Sequence, residues 1–167
     1  MVFNVGKWKV THFSRSNPSN DYFMKKQKLE STQIEKDLGI LISSDLKVSQ
    51  QCQQAYAKAS KSLGMINRTI TNKPTKILLQ LYKLLVRPHL EYCTAAWSPH
   101  YQKDKMVPEK VQRRFTRTIP GLRKFLYETR LKHINLWTLE DRHYTSRPDR
   151  GLQNGSWAVC CGHWNFL

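Results

Sequence analysis

The sequence predicts an α+β fold: short N-terminal strands followed by a mainly α-helical region. Three observations carry this reading. Residues 1–46 mix brief apolar stretches with turn-forming clusters and hold no helical stripe. From Val48 onward, apolar and small residues recur in steps of three and four. The most apolar run, Ile77 to Trp97, follows a proline (Pro74) suited to a helix start and contains a second, Pro88.

Taken in order, Val5 to Phe13 reads as a strand with Trp8, Val10 and His12 on one face. Ser14 to Asp21 is a turn, because Ser, Asn and Pro cluster there. Asp21 to Leu29 suggests a second strand. Leu38-Gly39-Ile40-Leu41-Ile42 reads as another, with a glycine where a second backbone comes close. So few short strands cannot hold a core of their own. Ser43-Ser44-Asp45 then offers N-cap side chains to a helix. Its stripe is Val48, Cys52, Ala55, Ala59, Leu63, Ile66 and Ile70, while Lys47, Lys58, Lys61 and Arg68 lie off it, in water.

Thr71 to Pro74 breaks the chain before the central run. There Ile77, Leu78, Leu81, Tyr82, Leu84, Leu85 and Val86 cover well over half of a helix circumference, so neighbours are expected to cover it nearly all round. Pro88 cannot donate to Leu84 and disfavours helical angles at Arg87, which predicts a kink or two tandem helices. A third helix spans Lys105 to Thr118, with Met106, Val107, Val111 and Phe115 inward and Glu109 as a start signal. Ile119-Pro120-Gly121-Leu122 ends it. A fourth runs from Leu126 to Arg142 and carries Leu131, Ile134, Leu136 and Leu139. From Tyr144 the periodicity stops, and 143–167 reads as a disordered tail.

A chain of 167 residues suits one domain and can bury a real core. Its charge is the anomaly: 28 Lys and Arg against 12 Asp and Glu, a net +16. Such an imbalance attracts polyanions, nucleic acid first and anionic membrane second. No uncharged apolar run is long enough to span a bilayer, and Met1 to Val10 lacks the apolar core of a secretory signal. Cys52, Cys93, Cys160 and Cys161 form no framework and read as reduced thiols, with Cys52 and Cys93 on apolar helical faces. These features suit a nuclear or cytoplasmic protein rather than a secreted one.

Catalytic constellations are missing. Two-metal phosphoryl transfer needs carboxylates gathered around ions about 3.5–4 Å apart. Here the acids are dispersed: Glu140 and Asp141 are adjacent but diverge on a helix, and Glu35 and Asp37 flank Lys36. Cys160-Cys161-Gly162-His163 packs its ligand types too tightly for tetrahedral zinc, and no second pair exists. Glycines form no phosphate-cradling loop. No cofactor or metal is therefore assigned.

The basic clusters say more. Between residues 101 and 133 lie ten cations and three acids, a local net of +7. With Val111 and Phe115 facing in, Arg113, Arg114 and Arg117 face out, and Arg123 and Lys124 follow. Arginines at i and i+4 can track a phosphate backbone. No base-reading pattern accompanies them. The expected partner is RNA, DNA or an RNA–DNA duplex, bound without sequence preference.

Several segments together resemble a known family. They are Phe3-Asn4-Val5-Gly6-Lys7-Trp8-Lys9-Val10-Thr11-His12, Glu35-Lys36-Asp37-Leu38-Gly39-Ile40, the run from Leu81 to Cys93 with its Arg87-Pro88-His89-Leu90-Glu91-Tyr92-Cys93, Trp97-Ser98-Pro99, and Val111-Gln112-Arg113-Arg114-Phe115-Thr116-Arg117. In this order and spacing they resemble the reverse transcriptase of non-LTR, LINE-type (jockey-like) retrotransposons, over roughly Phe3 to Arg142. The resemblance falls on the C-terminal part of that polymerase. It implies a palm remnant over 1–46, a thumb-like helical region over 47–142 and a divergent tail over 143–167. Lys7 resembles the motif D lysine that approaches the incoming nucleotide. Leu38-Gly39 resembles the motif E turn, the primer grip. The helices from Val48 onward, with Lys47, Lys58, Lys61 and Arg68, resemble the thumb that lies against template and primer.

The family's catalytic aspartates, in motifs A and C, would lie before Met1. The complete enzyme uses Mg2+; without those aspartates the chain is expected to be inactive as an RNA-directed DNA polymerase. Trp8 stands where the family usually has cysteine, and the tail departs from the family altogether. The expectation is an inactive transposable-element remnant with residual nucleic-acid binding. The alternative is a fragment put to new use as a nucleic-acid or protein interaction module.

Overall fold

A computed structural model describes residues 4–14, 16–72 and 74–145. The α+β class holds: short strands come first and helices follow. The chain divides into two compact units, one ending at Gln51 and the other starting at Cys52.

In the first unit the strands are shorter than the sequence suggests. Val5–Lys7 is a 3-10 turn, not strand, closed by the Lys7 amide on the Asn4 carbonyl at 3.2 Å. Strand β1 is only Lys9–Val10, and pairs in parallel with β4 (Glu30–Ser31). The second predicted strand is instead a hairpin of β2 (Phe23–Met24) and β3 (Gln27–Lys28). Lys25 and Lys26 both take positive φ at its turn.

The best-formed pair is β5 (Ile34–Asp37) against β6 (Ile40–Ser43). Leu38 (φ 45°) and Gly39 (φ 86°) make the two-residue turn between them. Two left-handed residues match the right-handed twist of flanking strands, and glycine takes the second at no steric cost. Gly39 therefore serves a turn, not a close approach within a strand as predicted. The strands pair two by two, and none of the unit's described residues belongs to the buried apolar core.

The long helix α1 is Ser49–Thr69. Its predicted cap lies too early. Asp45 accepts the Lys47 amide at 3.1 Å and the Ser43 hydroxyl at 2.5 Å, forming a turn before the helix. Along α1 the predicted stripe is correct: Cys52, Ala55, Ala59, Leu63 and Ile66 are buried.

In the second unit the central run is one interrupted element: α2 (Thr75–Leu81), a π-helical turn over Tyr82–Val86, α3 (Arg87–Glu91) and α4 (Thr94–Trp97). Pro88 does not break it. Over Tyr82–Val86 the ladder widens, with the Arg87 amide reaching the Tyr82 carbonyl. The wider turn accommodates a proline ring that would strike the Leu84 carbonyl in an α-helix. Arg87 keeps helical angles, against expectation. The actual break comes later, where Tyr92 is extended and Cys93 left-handed (φ 49°).

Nor is the run covered all round. Leu78, Tyr82, Val86 and Leu90, each four apart, are buried, while Ile77, Leu84 and Leu85 are exposed. Cys52 is buried as predicted, but Cys93 is exposed.

Helix α5 is Gln102–Thr118, starting a turn before the predicted Lys105 and holding Pro108 inside. Val111 and Phe115 are buried, whereas Met106 and Val107 are only half-buried. The predicted fourth helix is two, α6 (Tyr127–His133) and α7 (Leu139–Thr145), separated by Asn135 at φ 51°. Its four apolar residues Leu131, Ile134, Leu136 and Leu139 are all buried.

Glu91 accepts Arg142 Nε at 2.5 Å and Nη2 at 3.2 Å, and His143 Nε2 lies 3.0 Å from the Leu90 carbonyl. These bonds dock α7 on α3. The Cys-Cys-Gly-His segment and the tail beyond residue 145 lie outside the described residues. Among the described residues no helix is long and apolar enough to cross a membrane.

Candidate nucleic-acid interface

Helix α5 has two faces of opposite chemistry, and the inner one positions the outer. Val111, Phe115 and Ile119 face the core. The Phe115 ring stacks on Tyr82 with centroids 4.1 Å apart and planes 10° from parallel. Polar residues share that buried face. The Tyr82 hydroxyl donates to Gln112 Oε1 at 2.7 Å. Gln112 Nε2 donates to the Tyr127 hydroxyl at 3.1 Å and to the Trp137 carbonyl at 2.8 Å. The Tyr127 hydroxyl donates in turn to Glu109, whose other oxygen accepts the Leu139 amide at 3.0 Å. One chain of bonds thus ties the central run, α5, α6 and the start of α7.

Burial sets the protonation of this network. It raises the Glu109 carboxyl above its ordinary value, although the Tyr127 hydroxyl, the Leu139 amide and the Arg113 charge pull the other way. It also raises both tyrosines, helped at Tyr127 by its bond to Glu109. Cys52 is pushed up to about 12 by burial, with the nearby Asp104 adding to the shift, so it is an inert thiol.

Glu109 is therefore no helix-start signal. It is a buried acceptor for two donors. Tyr127, Gln112 and Arg130 were not singled out by the sequence reading either. The signal was present: Glu109, Gln112 and Thr116 recur on the same stripe as Val111 and Phe115. A polar residue on an apolar stripe must find partners when buried.

On the outer face, Arg113, Arg114 and Arg117 are exposed, as are Arg123 and Lys124 in the turn that follows. None of the five pairs with a carboxylate among the described residues. The Arg113 guanidinium lies over the Tyr127 ring at 4.8 Å, and that of Arg130 approaches the same ring at 5.5 Å. Stacking holds Arg113 while leaving its donors free. Arg130, one of the ten cations between residues 101 and 133, is buried, and its Nη1 donates to the Arg113 carbonyl at 3.3 Å.

No family model, curated protein or solved structure matches this chain.

The other predicted positions lie elsewhere. Lys58, Lys61 and Arg68 are exposed along α1, where Lys58 donates to Gln54 and Arg68 to the Gly64 carbonyl. In the first unit, Lys7 is exposed on the 3-10 turn and Lys47 pairs with Asp45 at 2.8 Å. That ion pair, with the Ser43 hydroxyl, holds the Asp45 carboxyl well below the usual range. Leu38 and Gly39 form the β5–β6 turn, with Leu38 exposed.

Among the described residues no three His, Cys, Asp or Glu side chains gather where they could hold a metal ion. Several acids are taken up at separate places: Asp21 by Lys28, Glu35 by Lys9, Glu140 by Lys105, Glu91 by Arg87 and Arg142, and Glu109 by the Tyr127 hydroxyl and the Leu139 amide.

Proposed function

We propose that this chain is an inactive remnant of a LINE-type reverse transcriptase that binds RNA, DNA or RNA–DNA duplex without sequence preference. The proposed contact surface is the outer face of α5 with the turn after it. One observation carries the binding: Arg113, Arg114, Arg117, Arg123 and Lys124 are exposed together, and none of them forms an ion pair with a described carboxylate. Free guanidinium donors in a region of net positive charge suit phosphate oxygens. Contacts to phosphate oxygens carry no base identity, which is why the binding is expected to be sequence-tolerant. The assignment to a polymerase remnant rests on the sequence resemblance, and the expected lack of catalysis on the scattered acids.

Binding of the purified chain to a labelled RNA–DNA duplex, titrated with salt, tests this. Four phosphate contacts would weaken binding roughly a hundredfold between 50 and 200 mM salt. Scrambling the duplex sequence should leave affinity unchanged. Binding that is flat with salt rejects the polyanion surface. Primer extension with Mg2+ and nucleotides should give no product, and incorporation above background would reject the inactive assignment.

A further inference from the structure

Arg130 is the odd member of the basic cluster. It is 3% exposed, yet none of the described carboxylates pairs with it. Among the described residues its guanidinium makes one hydrogen bond, from Nη1 to the Arg113 carbonyl. Its Nε is buried and has no partner. A buried guanidinium ordinarily spends its Nε edge on a carboxylate or phosphate, because an unmet charged donor keeps the full cost of desolvation.

The surroundings worsen the imbalance. After burial, the charge of Arg117 is the largest influence lowering the Arg130 pKa; Arg113 adds to it and Tyr127 opposes it. Arg113 and Arg130 also share the Tyr127 ring. The nearby acid, Glu109, is taken up by the Tyr127 hydroxyl and the Leu139 amide. Two guanidiniums thus share one aromatic ring, the charge of Arg117 adds to theirs, and the acid beside them already accepts two donors. Arg113 and Arg117 lie on the exposed face and are able to turn toward a ligand.

We propose that Arg113, Arg117 and Arg130 form a seat for one phosphate group. The Nε edge of Arg130 is its fixed donor, and the two exposed arginines close over the ligand. The seat deepens the nucleic-acid reading and rests on it only for the source of the phosphate, a nucleic-acid backbone. A free phosphate ion presents the same oxygens, and the experiment separates the two.

The full chain is melted in inorganic phosphate and in chloride at equal ionic strength. Phosphate should raise the Tm by a few degrees above chloride, as a ligand specific to the folded state does. Arg117→Gln should abolish that shift, and Lys76→Gln, which removes an equal charge on α2, should keep it. Arg130→Met should also abolish it; if that variant does not fold, Arg117→Gln decides. No excess of phosphate over chloride, or a shift surviving in Arg117→Gln, overturns the seat.

Duplex binding then assigns the source. Arg117→Gln should weaken it about tenfold, against two- to threefold for Arg114→Gln, which loses the same charge outside the seat. Equal losses, with the phosphate shift intact, keep the seat and assign it to free phosphate. If wild-type chain binds no duplex at all, the proposed function falls while the melting result still judges the seat.

Discussion

The two units are built by different forces. Up to Gln51, structure comes from local pairing: two-residue strands, one four-residue hairpin and side-chain-closed turns such as Asp45 with Ser43 and Lys47. Its large apolar side chains Trp8, Phe23, Leu38 and Leu46 are exposed. From Cys52 on, structure comes from burial. Fourteen residues join one core, and a bonded polar chain runs from Tyr82 through Gln112 and Tyr127 to Glu109. Hydrogen bonds to exposed backbone add little net stability, whereas buried apolar area adds most of it. The second unit should therefore carry the cooperative stability, and its basic face inherits that rigidity.

The largest test of this contrast is Phe115→Ala. It removes a fully buried ring stacked on Tyr82 and should cost about 3–5 kcal/mol in denaturant unfolding. Ile42→Ala, at a 36% exposed position in β6, should cost less than about 1 kcal/mol. Similar losses at both sites would dissolve the distinction.

Next in size is Glu109→Ala, which strands the Tyr127 hydroxyl and the Leu139 amide without an acceptor. Roughly 2–4 kcal/mol should be lost. Glu109→Gln keeps an acceptor and should lose far less. It also sharpens a pH effect. The Glu109 carboxyl binds its proton more tightly folded than unfolded, so its contribution is full below the ordinary value of 4.5 and fades as pH rises through the higher folded value. Unfolding measured across that window should show this decline in wild type and lose that component in Glu109→Gln.

A smaller effect than at Phe115 or Glu109 is expected at Gly39→Ala, which places a Cβ at φ 86° in the β5–β6 turn. About 1 kcal/mol should be lost, read as faster hydrogen exchange in β5 and β6 without a change in α5.

Periodicity alone located the inward residues of α1, α5 and the last helices, because a one-sided apolar stripe has one way to be buried. It also placed Arg113, Arg114 and Arg117 on the outer face of α5. Pro88 pointed to tandem helices, which α2 and α3 are, but not to what joins them, because a proline forbids one bond without saying whether the chain breaks or widens. The π-helical turn is the tertiary answer: it keeps Leu78, Tyr82, Val86 and Leu90 on one line in the core. Cys93 misled because its apolar neighbours suggested burial, yet the chain turns left-handed there and exposes it.

From composition and spacing came the charge imbalance, the α+β order and the two faces of α5, since each depends only on residue type and on the helical repeat. Which polar residues would be buried depended on what packed against them. In one dimension Glu109 reads as a helix-start signal and Arg130 as one cation among ten. Only when α6 and α7 fold back on α5 does the first become a shared acceptor and the second a buried cation beside two others. Partners distant in sequence decide the cost of burying a charge, and those are supplied by the fold.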